Sequence, residues 1–514
     1  MIRYDVRKNA YYDSVTLMLI SKEIKEIEGV TEALVGMGTA LNKELTENLK
    51  LDSDELSKIS VNDFYIAAEV DSEEIMEAVI LKVNELLSKK KADSGSVYQP
   101  VSLTTALEIQ PDSNLAIVSI PGQYAEEEVH KLLDHDLHVM LFSDNVSIEA
   151  ELALKTKAVE KGLLMMGPDC GTAIINGVPL AFANVVRRGG IGIVGASGTG
   201  TQEVTCLIDQ LGEGVSQVIG TGGRDLKSEI GGLMMIQGMR ALMEDSMTKV
   251  ITLISKPPAP EVASKILEMV KSTDKPVVVD FIGGDVESIK SVGAYPCKSL
   301  EDAARKSVDL MKGIEPKDFD GIDLDEKDIQ DIITNGINGL TGQQVNLRGL
   351  YTGGTLADEA MKTLGGEIYS NIPLRESFRL KDLNHLQGHV VLDLGEDQFT
   401  VGRPHPMIDP STRNDRFDTD IDEMTAVILV DVVLGYGSHE DPASEVANSI
   451  RKVRERLNLN FFAVASITGT KGDPQGFNSS KKVLEEAGII VMPSNAQAVR
   501  LVKMFMNKRE SSYE

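Results

Sequence analysis

The sequence predicts an α/β protein of several domains, and three observations carry that expectation. From about residue 101, short apolar runs alternate with helix-competent stretches, the pattern of parallel strands covered by helices on both faces. Several runs end in Gly/Ser/Thr elbows, as in IGIVGASGTGTQEV at 191–204. The composition fits: 45 Gly supply many β–α turns, while 4% aromatics and no Trp leave aliphatic packing between helix and sheet. A chain of 514 residues is long for one core, so three or four domains are expected.

The first segment, residues 1–90, holds SVTLMLISKEI, GVTEALVGMGT, DFYIAAEV and the amphipathic EEIMEAVILKVNELL. Read as strand–helix–strand and then strand–helix, it predicts a small α+β (ferredoxin-like) domain of the split βαβ kind. SKKKADSGSV at 88–97 is charged, small and polar, and reads as a linker. The second segment, 100–186, has strands at LAIVSIPG, LHVMLFSD and LLMMG separated by helical stretches. The third, 187–315, runs IGIVGASG, VSQVIGTGG, VITLISKP and PVVVDFIGGD. EPKDFDGIDLDEKDIQ, rich in Asp, reads as an exposed connector. The fourth, 340–510, places strands at LRGLYTGG, HVVLDLG, AVILVDVVLGYG, FFAVASITG and IIVMPS.

Charge and cysteine usage exclude several classes. Lys+Arg 52 against Asp+Glu 79 give −27, so nucleic acid or an anionic membrane would meet net repulsion. Local helix N-termini can still bind a small anion. Cys170, Cys206 and Cys297 show no CxxC or Cys/His spacing, and no metal is expected. His130, His135 and His138 lack supporting carboxylates and read as surface residues. Cys170 has no local activator to make it a nucleophile. The N-terminus has no apolar h-region and no 18-residue apolar run occurs, so a cytoplasmic protein is expected.

The chemistry-bearing stretches are the elbows. The loop at 195–200 has no Lys for a P-loop, and its G-x-x-G-x-G order reverses the dinucleotide fingerprint. It still offers backbone N–H groups to an anion; an ordinary tight β–α turn is the equal alternative for one such loop. A near-repeat follows, since GASGTGTQE and YTGGTLADE each place a Gly/Thr elbow before an acidic residue. GTGGRD adds Gly222, Gly223 and Arg224, with Asp225 as the pairing alternative. GRPHPMIDP puts Arg403, His405 and Asp409 in a Pro-stiffened loop. There Arg403 can grip a carboxylate, and His405 can donate to a carbonyl or shuttle a proton. His439, in GYGSHEDP, follows a long apolar run and so stands at a strand end.

MGPDCGTAIINGVPLAFANVVRRGGIGIVGASGTGTQEV resembles the domain junction of the succinyl-CoA synthetase α-subunit superfamily. More closely, GPDCGT, GASGTG, GTGGRD, LYTGGTLADEA, GRPHPMIDP and DVVLGYGSHEDPA resemble the FdrA family along the whole chain. The resemblance implies a Rossmann-like CoA-binding-type domain at 100–186. It also implies two flavodoxin-like succinyl-CoA-synthetase-type domains with parallel sheets. In the synthetases two opposed helix N-termini grip a phosphohistidine. The counterparts here are Ser197, Gly198, Thr199 and Gly200 on one side, with Thr352, Gly353, Gly354 and Thr355 on the other. The chain departs from that pattern in lacking a GHAG-like relay, any His between His138 and His385, and an ATP-grasp-like half.

The FdrA resemblance implies a subunit of oxamate carbamoyltransferase in anaerobic allantoin breakdown, working in an oligomer with partner subunits. Its reaction is oxalurate + phosphate ⇌ oxamate + carbamoyl phosphate. Phosphate or carbamoyl phosphate and an oxamate-type acid are then the small-molecule partners. Arg403, His405 and His439 are the catalytic candidates. No cofactor is obligatory, and CoA is kept as a candidate. Two other readings stay open: an NDP-forming acyl-CoA synthetase using a partner's nucleotide subunit, and a non-catalytic assembly subunit.

Overall fold

The computed structural model describes residues 1–8, 10, 12–93, 100 and 102–511, which fall into two compact units. The first comprises residues 1–112 and 397–404, the second 113–396 and 405–514.

The first unit runs β1 (Ile2–Arg7), α1 (Ser14–Lys25), β2 (Val30–Met37), α2 (Ala40–Asn48), α3 (Asp54–Ser57), β3 (Phe64–Val70), α4 (Glu73–Asp93) and α5 (Leu103–Ile109). Its strands form an antiparallel sheet in the order β1-β3-β2, the split βαβ arrangement. SVTLMLISKEIK is helix α1, and the first strand lies before it. The Asp13 carboxylate caps α1 by accepting the Thr16 N–H, and Leu17, Ile20 and Ile24 follow a helical period into the core. Along β3, Phe64, Ile66 and Ala68 face α1 and α4 while Tyr65 and Ala67 face the layer of Leu51 and Leu56. Helix α4 continues to Asp93, so 88–93 of the expected linker are helical; 94–97 lie outside the described residues.

The second unit opens with β4 (Leu115–Val118), α6 (Gly122–Asp134), β5 (His138–Leu141), α7 (Ile148–Glu160) and β6 (Met165–Met166), a three-stranded parallel sheet. The hairpin β7 (Thr172–Ile175) and β8 (Val178–Ala181) follows. Next come β9 (Arg188–Gly195), α8 (Gly198–Gln210), β10 (Val215–Gly220), α9 (Leu233–Glu244), β11 (Val250–Ser255) and α10 (Pro260–Val270). The series ends with β12 (Val277–Phe281), α11 (Val286–Ser291), β13 (Tyr295–Pro296) and α12 (Leu300–Met311). The order β10-β9-β11-β12-β13 is parallel and flavodoxin-like. The hairpin extends this sheet antiparallel to β10, so residues 172–181 pair with the third expected segment rather than the second.

After α13 (Glu326–Asn338) come β14 (Asn346–Tyr351), α14 (Gly354–Leu364), β15 (Ile368–Tyr369) and β16 (His389–Asp393). The short α15 (Asp397–Thr400) belongs to the first unit. Then follow α16 (Ser411–Asp420), β17 (Thr425–Val433), α17 (Pro442–Leu457), β18 (Phe462–Thr468), α18 (Phe477–Glu486), β19 (Ile490–Met492) and α19 (Asn495–Glu510). These strands form a parallel sheet ordered β15-β16-β14-β17-β18-β19, flavodoxin-like with one added edge strand. The Asp-rich connector is strapped down: the Arg305 guanidinium lies 3.7 Å from the Phe319 ring, and the Asp323 N–H donates to Gln497.

The two larger sheets share one hydrophobic core. Ile193, Val204 and Leu300 belong to the same cluster as Leu347, Leu356 and Phe505. Inside it, the acids of the near-repeat exchange caps. Glu203 in α8 accepts the Asn495 N–H at the start of α19 (3.0 Å), while Glu359 in α14 accepts the Leu300 N–H at the start of α12 (2.9 Å). Each carboxylate sits in the second helical turn and satisfies orphan donors of the opposite half. A second buried network ties α7 to the seven-stranded sheet. Lys155, fully buried, donates to Glu151 (2.8 Å), Asp225 (2.8 Å) and the Thr221 carbonyl (2.9 Å).

Lys155→Ala leaves the buried Asp225 without its cation and Glu151 with Arg224 alone, and is expected to cost about 3–5 kcal/mol, read as a lowered denaturant midpoint. Burial raises the Glu203 carboxyl from 4.5 to about 7. A raised acid contributes stability that is present below its unfolded pKa and is lost as pH rises through the folded one. Glu203→Gln is therefore expected to gain in Tm over the parent progressively between pH 4.5 and about 7; a pH-independent difference would contradict this.

Candidate functional site

The flavodoxin-like strand orders turn at β9/β11 and at β14/β17, where open α/β sheets bind ligands beyond the strand ends. The elbows after β9 and β14 stand at those two points, and they meet. The Ser197 and Thr355 hydroxyls lie 2.6 Å apart in a hydrogen bond. A Cβ on Gly353 would stand 2.9 Å from Thr199 Oγ1, and one on Gly200 would stand 2.8 Å from Thr355 Cγ2. Glycine at 353 and 200 is thus what lets the two backbones approach.

The donors divide by task. Ser197 caps α8 by accepting the Gly200 N–H at 3.1 Å. Thr352 gives both its N–H (2.9 Å) and its hydroxyl (3.0 Å) to Asp431, and Gly353 gives its N–H to the same carboxylate (2.8 Å). Asp431, buried in mid-strand β17, is held in turn by Arg413 at 3.2 Å. Thr352, expected at the anion, therefore points its donors the other way; it and Gly353 anchor the elbow. The N–H groups of Gly198, Thr199, Gly354 and Thr355 have no acceptor among the described residues. They are the first-turn donors of an 11-residue and a 13-residue helix, where the positive dipole ends lie.

Around the second elbow stand groups that the sequence reading did not single out. Asp393, at the end of β16 and 5% exposed, takes the Gly395 N–H on Oδ1 (3.0 Å) and sets Oδ2 against the Cα of Gly354, where a Cβ would collide with it. Lys256, just after β11, pairs with Asp358 of α14 at 2.7 Å. Burial, then the charge of Glu396, pushes the Asp393 carboxyl up to about 7.

His405 comes to the same place. Its Nε2 would stand 2.6 Å from a Cβ on Gly395, beside the Thr352 carbonyl. Nδ1 accepts the Met407 N–H at 3.2 Å, which assigns the ring proton to Nε2. Burial lowers its pKa to about 4, so the imidazole stays neutral near pH 7. With its proton on Nε2, the neutral ring presents a donor beside Gly395. His439 joins this loop through the backbone, its N–H donating to the Met407 carbonyl at 2.7 Å, while its own Nδ1 accepts the Asp441 N–H.

The other candidates take different positions. Arg403 is exposed and belongs to the first unit, with its N–H on the Thr400 carbonyl, whereas His405 belongs to the second. Asp409 is buried and accepts the Ser411 N–H, a local turn contact at the start of α16. Arg224 pairs with Glu151 (2.9 Å) and Asp225 with Lys155, so the two neighbours do not pair with each other and serve the buried network. In the same turn Gly222 has φ +82° and lies against the Pro168 carbonyl, while Gly223 faces open space. Cys170 is buried, its thiol pushed up to about 12, the condition of an inert core thiol. His138 accepts the Leu164 N–H.

Comparison with known proteins agrees with this architecture. Family models match at 1–100 (AllF, heavy metal-associated domain), 187–283 (CoA binding domain) and 350–505 (CoA-ligase). The CoA-binding match falls on the segment of the first elbow rather than on 100–186. Residues 1–100 contain no Cys and no His, so they lack thiolate and imidazole donors for a heavy metal.

The uncharacterized protein YahF of Escherichia coli is 42% identical over 518 residues, covering 99% of this chain and all of YahF. Succinate–CoA ligase [ADP-forming] subunit alpha 2 of Archaeoglobus fulgidus is 27% identical over 175 residues; the match covers 33% of this chain and 58% of that subunit. The apo dinucleotide-forming acetyl-coenzyme A synthetase 1 of Ca. Korarchaeum cryptofilum has 13% identity and a TM-score of 0.32, covering 77% of this chain and 84% of that one. No helix among the described residues is long and apolar enough to cross a membrane. The chain belongs to the same family as YahF and carries matches to the CoA binding domain and CoA-ligase models.

Proposed function

We propose that the chain binds a phosphate group between its two elbows and serves carbamoyl transfer between oxalurate and phosphate, as a subunit of an oxamate carbamoyltransferase. The observation that carries this reading is the 2.6 Å contact between Ser197 and Thr355, which brings two sets of open helix N–H groups to one place. Gly198 and Thr199 from α8, with Gly354 and Thr355 from α14, hold the phosphate; each helix end contributes about 0.3–1 kcal/mol, and more where water is excluded. Ser197, Gly200, Thr352 and Gly353 shape and anchor the elbows. His405 donates its Nε2–H to the carbonyl under attack, and His439 acts through the loop it fastens. The AllF model over residues 1–100 supports the link to allantoin breakdown implied by the family resemblance.

The CoA-binding and CoA-ligase matches favour a second reading, an NDP-forming acyl-CoA synthetase that uses CoA and a partner's nucleotide site. Its relay needs an unprotonated histidine nitrogen facing the elbows. The His405 nitrogen beside Gly395 carries the ring proton and is a donor, which supports carbamoyl transfer.

The complex reconstituted with its partner subunits is expected to release oxamate from oxalurate only when phosphate is present. Phosphate-independent behaviour, or stoichiometric histidine phosphorylation from ATP, would replace this reading by the second. Gly353→Ala forces Thr199 away and is expected to weaken phosphate binding to the full chain about tenfold, roughly 1.4 kcal/mol, by calorimetry. Unchanged affinity would remove the phosphate from between the elbows.

A further inference from the structure

We propose that Asp393 is the proton-carrying group of the anion site, protonated when a tetrahedral dianion rests on the start of α14 and supplying that proton to the nitrogen that leaves. The proposal rests on the phosphate reading above. Its geometric basis is separate from the helix ends. Asp393 is 95% buried by its 5% exposure, and its Oδ1 is occupied by the Gly395 N–H. Oδ2 accepts no hydrogen bond among the described residues and lies against Gly354, the first residue of α14. A carboxyl oxygen is thus aimed at the edge of the proposed phosphate seat.

The surrounding charges fix the direction of the effect. Asp358 faces the group from α14, Glu396 from the turn after β16, Lys256 from the end of β11, and the neutral His405 from the loop beyond. Lys256 is paired with Asp358, and the charges of Asp393 and Glu396 also act on it. Adding a dianion beside an ionised Asp393 would place like charges together at low dielectric. Protonation removes the repulsion and turns Oδ2 into a donor. Asp393 already stands close to that state, raised to about 7 by burial and Glu396.

In the proposed reaction a hydrogen-phosphate oxygen attacks the carbamoyl carbon of oxalurate. The carbon–oxygen bond forms and the carbon–nitrogen bond breaks. The Asp393 proton goes to the oxamate nitrogen with the released electron pair. The carboxylate then takes the proton still on the carbamoyl hydrogen phosphate, which leaves as the dianion and resets the site. Atoms and charge balance without an added co-reactant.

Sulfate tests the step because it is a tetrahedral dianion that does not itself titrate near neutral pH. Calorimetry of sulfate binding to the full chain, in buffers of different ionisation enthalpy at pH 8, is expected to show uptake of about one proton per sulfate. Apparent affinity is expected to fall about tenfold per pH unit above Asp393's own titration. Asp393→Asn is expected to bind sulfate with no proton uptake and a flat pH dependence. Sulfate binding without uptake in the parent, or equal uptake in Asp393→Asn, overturns the role of Asp393 while leaving the anion seat intact. No sulfate or phosphate binding by the parent overturns both. If Asp393→Asn fails to fold, the parent's uptake decides alone.

Discussion

The geometry of the candidate site depends on the exchange of buried carboxylates between the two large sheets. Glu203 and Glu359 leave their own helices to satisfy the first N–H groups of α19 and α12. A buried carboxylate is costly unless donors surround it, and Glu203 also takes the Thr468 hydroxyl while Glu359 takes Asn495 Nδ2 at 2.7 Å. Such groups tolerate little sliding, because a shift of an ångström strands both a charge and a helix end. The exchange therefore sets where α8 and α14 lie relative to each other. Their N-terminal elbows meet because the second turns of the same helices are locked.

That arrangement gives a protein of charge −27 two adjoining helix N-termini. Coulomb repulsion from distant surface carboxylates is screened beyond about 8–10 Å, whereas helix N–H groups act within contact distance. Beside the second N-terminus stand Asp358, Asp393 and Glu396, with Lys256 paired to Asp358.

Much of the architecture was legible in the sequence. The β–α alternation and the two elbows follow from strand runs that end in Gly/Ser/Thr, while the pairing of the elbows was implied by the resemblance to the synthetases. The near-repeat was visible too, although the work of its two acids was not, since capping across halves appears only once the sheets are packed. SVTLMLISKEI was misread because β-branched and apolar residues crowd it, although its apolar period is helical. The hairpin at 172–181 carried a usable signal: Asn176 and Gly177, both with positive φ, form the turn that an Asn-Gly pair favours.

At the site, motif reading found what is glycine-rich and missed what is merely well placed. Asp431 is a lone acid in a nine-residue strand that is buried throughout, a position that demands partners, and it anchors the second elbow. Asp393 and Lys256 sit one step past ordinary strands with nothing unusual in their flanks. Arg403 and Asp409 looked alike in the polar loop, yet one is exposed in the first unit and the other is a turn cap.

Both elbows belong to one polypeptide and share one hydrophobic cluster. The entropy of bringing them together is settled when the chain folds, not each time two separate molecules collide. A clasp made this way persists at any dilution at which the protein itself stays folded. It also cannot open by dissociation of one half from the other.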